Sequence, residues 1–518
     1  MNRYVRTLIA CLTLLAVLTS CTQGDEDVTL RVLASPELVD VEPLLSQLKD
    51  DTGVKLDVDY RAEADLSGAR SLSYDLAWPA SDRSFLLRLQ ESGEQMTRPE
   101  STPIMRSPVV VGLTREVADT LRAKTPSERL SWADIADAAT DGTIRFGIAD
   151  PHSNETGRAA LVGVATAAAR TGSALREQDV SCNWMRGFRS GQTLTGASSP
   201  ELIATYTGHQ SEANALIAHE SDLLSLNANK LREPLQIVYP EDGMVLSDFP
   251  LLLLDPSERT AYRKVTDWLL QADVQRKLMQ STWRRPVNQD VTPAGPLRSA
   301  IGNALSYPDR LSIVKRLIAD YGDPASTPDQ VVFLLDFSGS MRGAQIAGLR
   351  TAFAGLSGAD PMSTGKFARF YRGEQITVIR FGHRVLQERT VTVRDDGDLR
   401  ALRKVAAADS FDDSTAIWSA LERGYRIAAA AVRKAPEQPV SIVLMTDGEN
   451  NAGISYEEFL RRHRELGADA RKVRTFPVHF GDADAVALEK AADATGGRMV
   501  DADLSSLSDA FKEIRGCH

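Results

Sequence analysis

The stretch VVFLLDFSGSM, residues 331–341, decides how the C-terminal part of the chain is read. Val331 to Leu335 form an unbroken apolar run, the pattern of a strand buried on both faces of a parallel sheet. The run ends in Asp336, and Ser338 and Ser340 follow at every second position around Gly339. That spacing can aim three oxygens at one point from one tight loop. A second apolar run, VSIVLMT (440–446), ends in Asp447, and the segment FDDSTAI (411–417) between the two supplies Thr415. In an open doubly wound sheet, ligands bind at the carboxyl ends of the strands. All five residues can reach that edge. Two carboxylates and three hydroxyls are hard oxygen ligands, suited to Mg²⁺, Mn²⁺ or Ca²⁺ and not to Zn²⁺, which favours His and Cys.

Around these runs, strand and helix patterns alternate from residue 329 onwards. GAQIAGLRTAFAGLSG (343–358) sets Ile346, Leu349 and Phe353 on one side of a helix. QITVIRFGH (375–383) reads as a strand and STAIWSALERGYRIAAAAV (414–432) as a helix. YEEFLRRHRELGA, KVRTFPVHFGD, AVALEKAADATGG and LSSLSDAFKEI continue as helix, strand, helix, helix.

This constellation resembles the metal-ion-dependent adhesion site of von Willebrand factor A domains. DFSGS (336–340) fits that site's D-x-S-x-S, Thr415 its lone threonine, and TDG (446–448) its second aspartate; the resemblance runs over about residues 329–515. It implies a doubly wound, Rossmann-like fold. Asp336, Ser338, Ser340 and Thr415 are then metal ligands, direct or through water, and Asp447 closes the site. One coordination position stays open for an acidic residue of a protein partner. The chain departs from the pattern in the threonine loop, where Asp413 and Ser414 replace the usual glycines and Asp412 or Asp413 can add negative charge.

Residues 28–60 read as strand, helix, strand: VTLRVLAS, then LVDVEPLLSQLKDDTG with Val41, Leu44, Leu45 and Leu48 at helical spacing, then the alternating VKLDVDY. The alternation continues to about residue 285 and predicts an α/β fold with parallel strands. In order, YDLAWPASD (74–82), RSPVVVGLT (106–114), LSWADIADAATDGTIRFGIADPHSNETGRAAL (130–161), IVYPEDGMVLSDFP (237–250) and DWLLQADVQRKLMQSTWRRPVN (267–288) resemble segments of the two-lobed type II periplasmic solute-binding fold. The resemblance implies a solute cleft, with Trp78, Ser107, Ser153, Asn154, Thr156 and Tyr239 as candidate lining residues and Glu220 nearby. DPHSNETG puts small polar side chains and bare N–H groups at a helix start, which favours an anion or a carbonyl oxygen. The plain alternative is helix capping by Ser153 or Asn154. Trp78 is either a cleft wall or core, and Glu220 either a ligand contact or a solvated helix residue.

At 518 residues the chain is too long for one core, and at about 150 residues per domain three or so compact units are expected. The net charge of -10, with no basic run interleaved with aromatics, argues against a nucleic-acid partner. Beyond the N-terminus no run is long enough to span a bilayer; MVLSDFPLLLLD (244–255) is too short and is broken by proline.

Residues 1–21 read as a targeting segment: Arg3 and Arg6, the apolar LIACLTLLAVL, then LTSC (Leu18–Cys21), which resembles a bacterial lipobox. That resemblance implies cleavage before Cys21 and lipid anchoring through it, the alternative being an ordinary secretory signal. Residues 22–27 form a tether, 28–290 the solute-binding-like domain, 291–328 a turn-rich linker holding the amphipathic helix LSIVKRLIADYG, and 329–518 the C-terminal domain. Cys182 and Cys517 are a candidate disulfide pair in an exported protein, or two unpaired thiols.

The expected function is that of a lipid-anchored extracytoplasmic binding protein. A metal site captures an acidic residue of a protein partner, and a solute-binding-like domain serves as sensor or scaffold. The alternative is the solute receptor of an ABC-type uptake system. Catalysis is not expected. Ser338, Asp447 and His479 follow the chain order of an α/β-hydrolase triad, but the nucleophile elbow G-x-S-x-G has Asp336 where its first glycine belongs.

Overall fold

The computed structural model describes residues 28–61, 74–83, 86–87, 98–125, 129–171, 173–180, 185–298, 300–322, 328–359, 369–447, 449–479 and 485–501. Residues 1–27, with the lipobox-like Cys21, lie outside the described residues, as do Cys182 and Cys517. The chain divides into two compact units, one of residues 1–107 with 247–299 and one of 108–246 with 300–518.

The first unit is built on a five-stranded sheet. Val54–Tyr60, Val28–Ala34 and Leu76–Trp78 run parallel, and Pro250–Leu253 lies antiparallel between Leu76–Trp78 and Glu100–Pro103. Leu30, Val32, Leu48, Phe249, Leu251, Tyr262, Val265 and Trp268 fill one core over it. The helical run expected from residue 38 is split into a 3₁₀ turn, Pro36–Val41, and an α-helix, Glu42–Thr52. Pro43 lacks an N–H and therefore suits the first turn of a new helix.

The second unit contains an α/β lobe and the C-terminal domain. In the lobe, Phe146–Ala149 pairs parallel with both Gln192–Gly196 and Ala215–His219. Met105–Leu113, which enters this unit from the first, is antiparallel to Ala215–His219 and to Gln236–Val238. The all-parallel expectation for residues 28–285 is thus corrected to mixed sheets. The strands that run against their neighbours are Met105–Leu113 and Pro250–Leu253. The expected linker helix forms over Leu311–Tyr321 and packs on the lobe, its buried Tyr321 donating to Gln192 Oε1 at 2.5 Å.

The C-terminal domain has a six-stranded sheet: β1 (Gln330–Asp336), β2 (Gln375–Phe381), β3 (Val385–Thr392), β4 (Val440–Thr446), β5 (Arg474–His479) and β6 (Val500–Asp501). Its strand order is β3-β2-β1-β4-β5-β6, with only β3 antiparallel to its neighbour. The helices α1 (Ala344–Ala354), α2 (Asp396–Ala406), α3 (Ile417–Lys434), α4 (Tyr456–Arg464) and α5 (Ala485–Ala494) form the outer layers. β1 is buried along all of its length. Successive side chains of a strand point to opposite faces, so Phe333 and Leu335 join Leu349, Phe353 and Val378 in one core, while Val332 and Leu334 join Trp418, Leu421, Tyr425 and Phe459 in the other. The edge strand β3 and helix α2 had no distinct reading in the sequence; β3 is mostly exposed, and Val391 is its one buried residue, too little to set an alternation.

Among the described residues no helix is long and apolar enough to cross a membrane.

Candidate metal centre

In the sheet order β3-β2-β1-β4-β5-β6 the chain reverses direction of travel between β1 and β4. Such a switch point opens a crevice at the carboxyl ends of the two strands. Asp336 ends β1 and Asp447 follows the last residue of β4. The fold therefore brings together two loops 111 residues apart by the same rule that makes both strands apolar.

Asp336 is completely buried. Its Oδ1 accepts the Ser338 N–H at 2.8 Å and its Oδ2 accepts the Thr446 hydroxyl at 2.6 Å. Burial pushes its carboxyl up to about 6; the hydrogen bonds from Thr446 and Ser338 pull it down, and the nearby Asp447 charge adds to the rise. Burial likewise raises Asp447, against a lowering hydrogen bond from Ser340. Both shifts report negative charge held out of water, which a cation beside it would offset.

From this floor the oxygens climb to the surface. The Ser338 hydroxyl, buried, lies 3.1 Å from that of Ser340, and the exposed Ser340 donates to Asp447 Oδ1 at 3.0 Å. Adjacent corners of an octahedron with metal–oxygen bonds of about 2.1 Å are about 3.0 Å apart. The chain Ser338–Ser340–Asp447 has that spacing, and its open side faces solvent at Ser340. Among the described residues no group of three or more His, Cys, Asp or Glu side chains gathers as a metal cluster, here or elsewhere; the candidate site offers two carboxylates and otherwise hydroxyls.

Thr415 is buried, and its loop is tied to the same edge by the backbone. Asp412 pairs with Ser338 as an isolated bridge and donates its N–H to Phe337 O at 2.9 Å. Asn451 clamps Thr415 from the other side, its Oδ1 accepting the Thr415 N–H at 2.8 Å and its N–H donating to Thr415 O at 3.0 Å. Asp412 turns its carboxylate to His383, through both the ring Nδ1 and the backbone N–H, and to the Asp413 N–H. Burial raises the Asp412 carboxyl, but those bonds outweigh it and hold it below the usual range. The close approach needs Gly382, where a Cβ would stand 2.2 Å from Asp412 Cβ.

Thr446, Gly382, His383 and Asn451 thus support the site without having been singled out in the sequence, and Asn450 accepts the Trp418 N–H at 3.3 Å at the start of α3. Asn450 and Asn451 follow directly on Asp447-Gly448-Glu449, a polar run after a buried strand, and that was the available signal.

The candidate cleft residues are distributed as follows. In the first unit, Trp78 is 2% exposed, sits in the core and donates its indole N–H to Phe249 O at 3.0 Å; Ser107 is fully buried. In the lobe, Asn154 caps the helix Glu155–Ala169, accepting the N–H groups of Thr156 at 2.8 Å and Gly157 at 3.3 Å. Ser153 bonds Ala197 O at 3.3 Å. Thr156, fully buried, lies 3.4 Å from the Ser199 hydroxyl and 3.3 Å from His219 Nδ1. Tyr239 donates to Glu220 Oε1 at 2.5 Å, so the buried Glu220 is not a solvated helix residue. Within the lobe, the helices that start at Glu155, Ser199 and Glu220 each follow a strand of one parallel set, so their N-termini share one edge.

Two family models match. Residues 30–284 match bacterial extracellular solute-binding protein, and residues 330–513 match the von Willebrand factor type A domain. No curated protein matches the chain. Among solved structures, the periplasmic binding protein AfuA from Actinobacillus pleuropneumoniae, with exogenous fructose-6-phosphate bound, aligns at 15% identity and a TM-score of 0.44, over 57% of this chain and 97% of that one. Iron-bound HitA from Pseudomonas aeruginosa aligns at 16% identity and a TM-score of 0.43, over 57% and 100%. A substrate binding protein of an ABC transporter from Agrobacterium tumefaciens aligns at 12% identity and a TM-score of 0.43, over 58% and 95%. By the two family matches, the chain carries a solute-binding-like domain followed by a von Willebrand factor type A domain.

Proposed function

We propose that this is an extracytoplasmic binding protein, lipid-anchored through Cys21, that captures an acidic residue of a protein partner at a divalent cation held by its C-terminal domain. Asp336, Ser338, Ser340, Thr415 and Asp447 would hold the cation, directly or through water. Mg²⁺ is the first candidate, with Mn²⁺ or Ca²⁺ as substitutes. The observation that carries the reading is the run of oxygens from Ser338 through Ser340 to Asp447, spaced 3.1 and 3.0 Å, over a buried Asp336 at the switch point of the sheet. When bound, the cation supplies a Lewis-acidic position for an outside carboxylate. The protein's own part is to fix the oxygens, keep the floor dry and leave the Ser340 side open.

The activity is binding, not turnover. The hydroxyl of Ser338 is buried against Ser340, and Asp336, two residues before it, is spent on Thr446 and the Ser338 N–H. The solute-binding-like domain acts as ligand sensor or scaffold. Its family match favours a second reading, the solute receptor of an ABC-type uptake system, with the shared helix N-termini of the lobe as the polar end of the ligand site.

Calorimetric titration of Mg²⁺ and Mn²⁺ into the whole chain, beside Asp336→Ala, tests the metal reading. Saturable binding that Asp336→Ala abolishes is the expected result. Equal heats from both proteins would refute it and move the argument to the solute-binding-like domain.

A further inference from the structure

Within the second unit, the C-terminal domain touches the lobe at the N-terminal edge of its sheet, opposite the edge that carries Asp336. Asp329, one residue before β1, forms an ion pair with Arg186 of the lobe helix Met185–Arg189. The same residue donates its N–H to the Tyr371 hydroxyl at 2.8 Å, and its carbonyl accepts the N–H of Gln375, the first residue of β2, at 2.9 Å. One side chain of the lobe is thereby fastened to the feet of β1 and β2. A second pair stands beside it: Arg369 donates to Asp137 Oδ1, on the lobe helix Trp132–Thr140, at 2.5 Å. None of the four side chains is more than 25% exposed. The side chain of Arg372 also lies against Gly142, 3.7 Å from where a Cβ would stand.

The polarity of the two pairs matters more than their number. To the two pairs the lobe contributes the cation Arg186, with Arg189 of the same helix also drawn to Asp329, and the anion Asp137; the domain answers with Asp329 and Arg369. Turning the domain so that the partners exchanged would set Arg369 on Arg186 and Asp329 on Asp137. Like charges so placed repel, so the arrangement selects one orientation against that alternative. Surface ion pairs contribute little by themselves, but these are mostly withdrawn from water. They are also joined to an apolar anchor, since the linker helix that leads into the domain sets Tyr321 against Phe188 of the lobe, ring centroids 6.2 Å apart.

We propose that Arg186–Asp329 and Asp137–Arg369 form a two-point charge latch that fixes the metal-site domain on the solute-binding lobe in one orientation, as one rigid body. β1 is the spacer of that body. From Asp329 to Asp336 seven steps of about 3.3 Å separate the latch from the oxygen site by about 23 Å. The lobe therefore holds the domain by its base and leaves the Ser340–Asp447 edge free for a partner.

Hydrogen exchange followed by mass spectrometry on the whole chain tests this, with Asp137→Arg and Arg369→Asp made singly and together. Each single reversal sets like charges face to face. It is expected to speed exchange over residues 132–140 and 369–381 by about tenfold, and the exchanged pair to bring both segments back towards wild type. Wild-type exchange in both single variants, or a double variant as fast as the singles, would overturn the latch. A single variant that loses protection even in Ala215–His219 and Val440–Thr446 has unfolded, and the double then decides: restored protection supports the latch and continued loss overturns it. Arg186→Asp with Asp329→Arg gives a second, independent cycle read by the same criteria. The readout uses neither metal nor solute, so it succeeds or fails apart from the function proposed above.

Discussion

Thr446 donates its hydroxyl to Asp336 Oδ2 at 2.6 Å, joining the ends of the two central strands of the C-terminal domain, and both residues are fully buried. The bond stabilises the ionised carboxylate against its burial. Thr446→Val keeps the shape and removes the donor. The variant is expected to lose about 1–3 kcal/mol of stability in urea at neutral pH, the cost of a buried polar group left short of a partner. The Asp336 carboxyl should also hold its proton to higher pH. Thr446→Ser, which retains the hydroxyl, should stay within about 1 kcal/mol of wild type. If valine and serine behave alike, the hydroxyl does not support the floor of the site.

Gly382 and Asp412 define how closely the threonine loop approaches the strand edge. A methyl group at 382 would stand 2.2 Å from Asp412 Cβ. Gly382→Ala should therefore push the Asp412–Thr415 loop off the edge and weaken Mn²⁺ binding by about tenfold or more, on the proposed reading of the site. Adding Asp412→Gly removes the obstructing Cβ and is expected to recover most of the affinity. Titration of Mn²⁺ by electron paramagnetic resonance on the two variants measures both. A Gly382→Ala protein that binds as wild type would show that Thr415 does not act in the site.

What could be read before the fold was known follows from the range of each signal. The runs 331–335 and 440–446 were legible as strands because burial on both faces leaves no polar position to interrupt them. Asp336, Ser338 and Ser340 were legible as a set because they share one loop. Thr446 was not, since its hydroxyl acts on a residue 110 positions away. Gly382 lay unmarked for the same reason: what it makes room for is Asp412, thirty residues on. Trp78 shows the converse limit. An aromatic at a strand end suits a cleft wall or a core equally, and its contact with Phe249, 171 residues away, carries no local trace. The exposed strand Val385–Thr392 was missed because only its hydrogen bonds to β2 make it a strand.

Asp242 gives a pH test in the lobe. Its two carboxylate oxygens accept the Trp132 N–H at 3.0 and 3.1 Å, at the start of the helix Trp132–Thr140. Burial pushes its carboxyl up to about 6; the backbone bonds oppose the rise, and the charges of Asp134 and Glu241 add to it. The unfolded chain releases this proton near 3.8. Below that value both states hold the proton and the stabilising contribution is fully present. As pH rises towards about 6, only the folded state still holds it, so the contribution is lost through that window and the loss is complete above it. Asp242→Asn keeps an oxygen for Trp132 and removes the titration. Its unfolding free energy should match wild type near pH 3.5 and exceed it near pH 7.5 by an amount on the order of 2 kcal/mol. A constant difference across the range would mean that Asp242 does not titrate on folding.

Arg284 anchors the first unit, in the Arg-Pro segment that closes the solute-binding-like domain. Its side chain is 1% exposed, and Nη1 donates to both oxygens of Asp40 at 2.8 and 2.7 Å. Nη2 donates to Glu37 O at 2.5 Å, and the guanidinium lies 4.6 Å from the centroid of the Phe249 ring. Asp40→Asn leaves this cation buried without its counter-charge. A wholly buried pair broken in this way costs about 3–5 kcal/mol. Asp40 is 43% exposed, so water screens part of that loss, and about 2 kcal/mol is expected here. Arg284→Lys should do no better, because an ammonium cannot fork to Asp40, reach Glu37 O and stack on Phe249 at once. Added salt should restore little, since the guanidinium is out of reach of mobile ions. Urea unfolding followed by tryptophan fluorescence, in low and high salt, measures all three. A stable Asp40→Asn protein would mean that the Glu37 carbonyl and the Phe249 ring alone suffice to hold the charge.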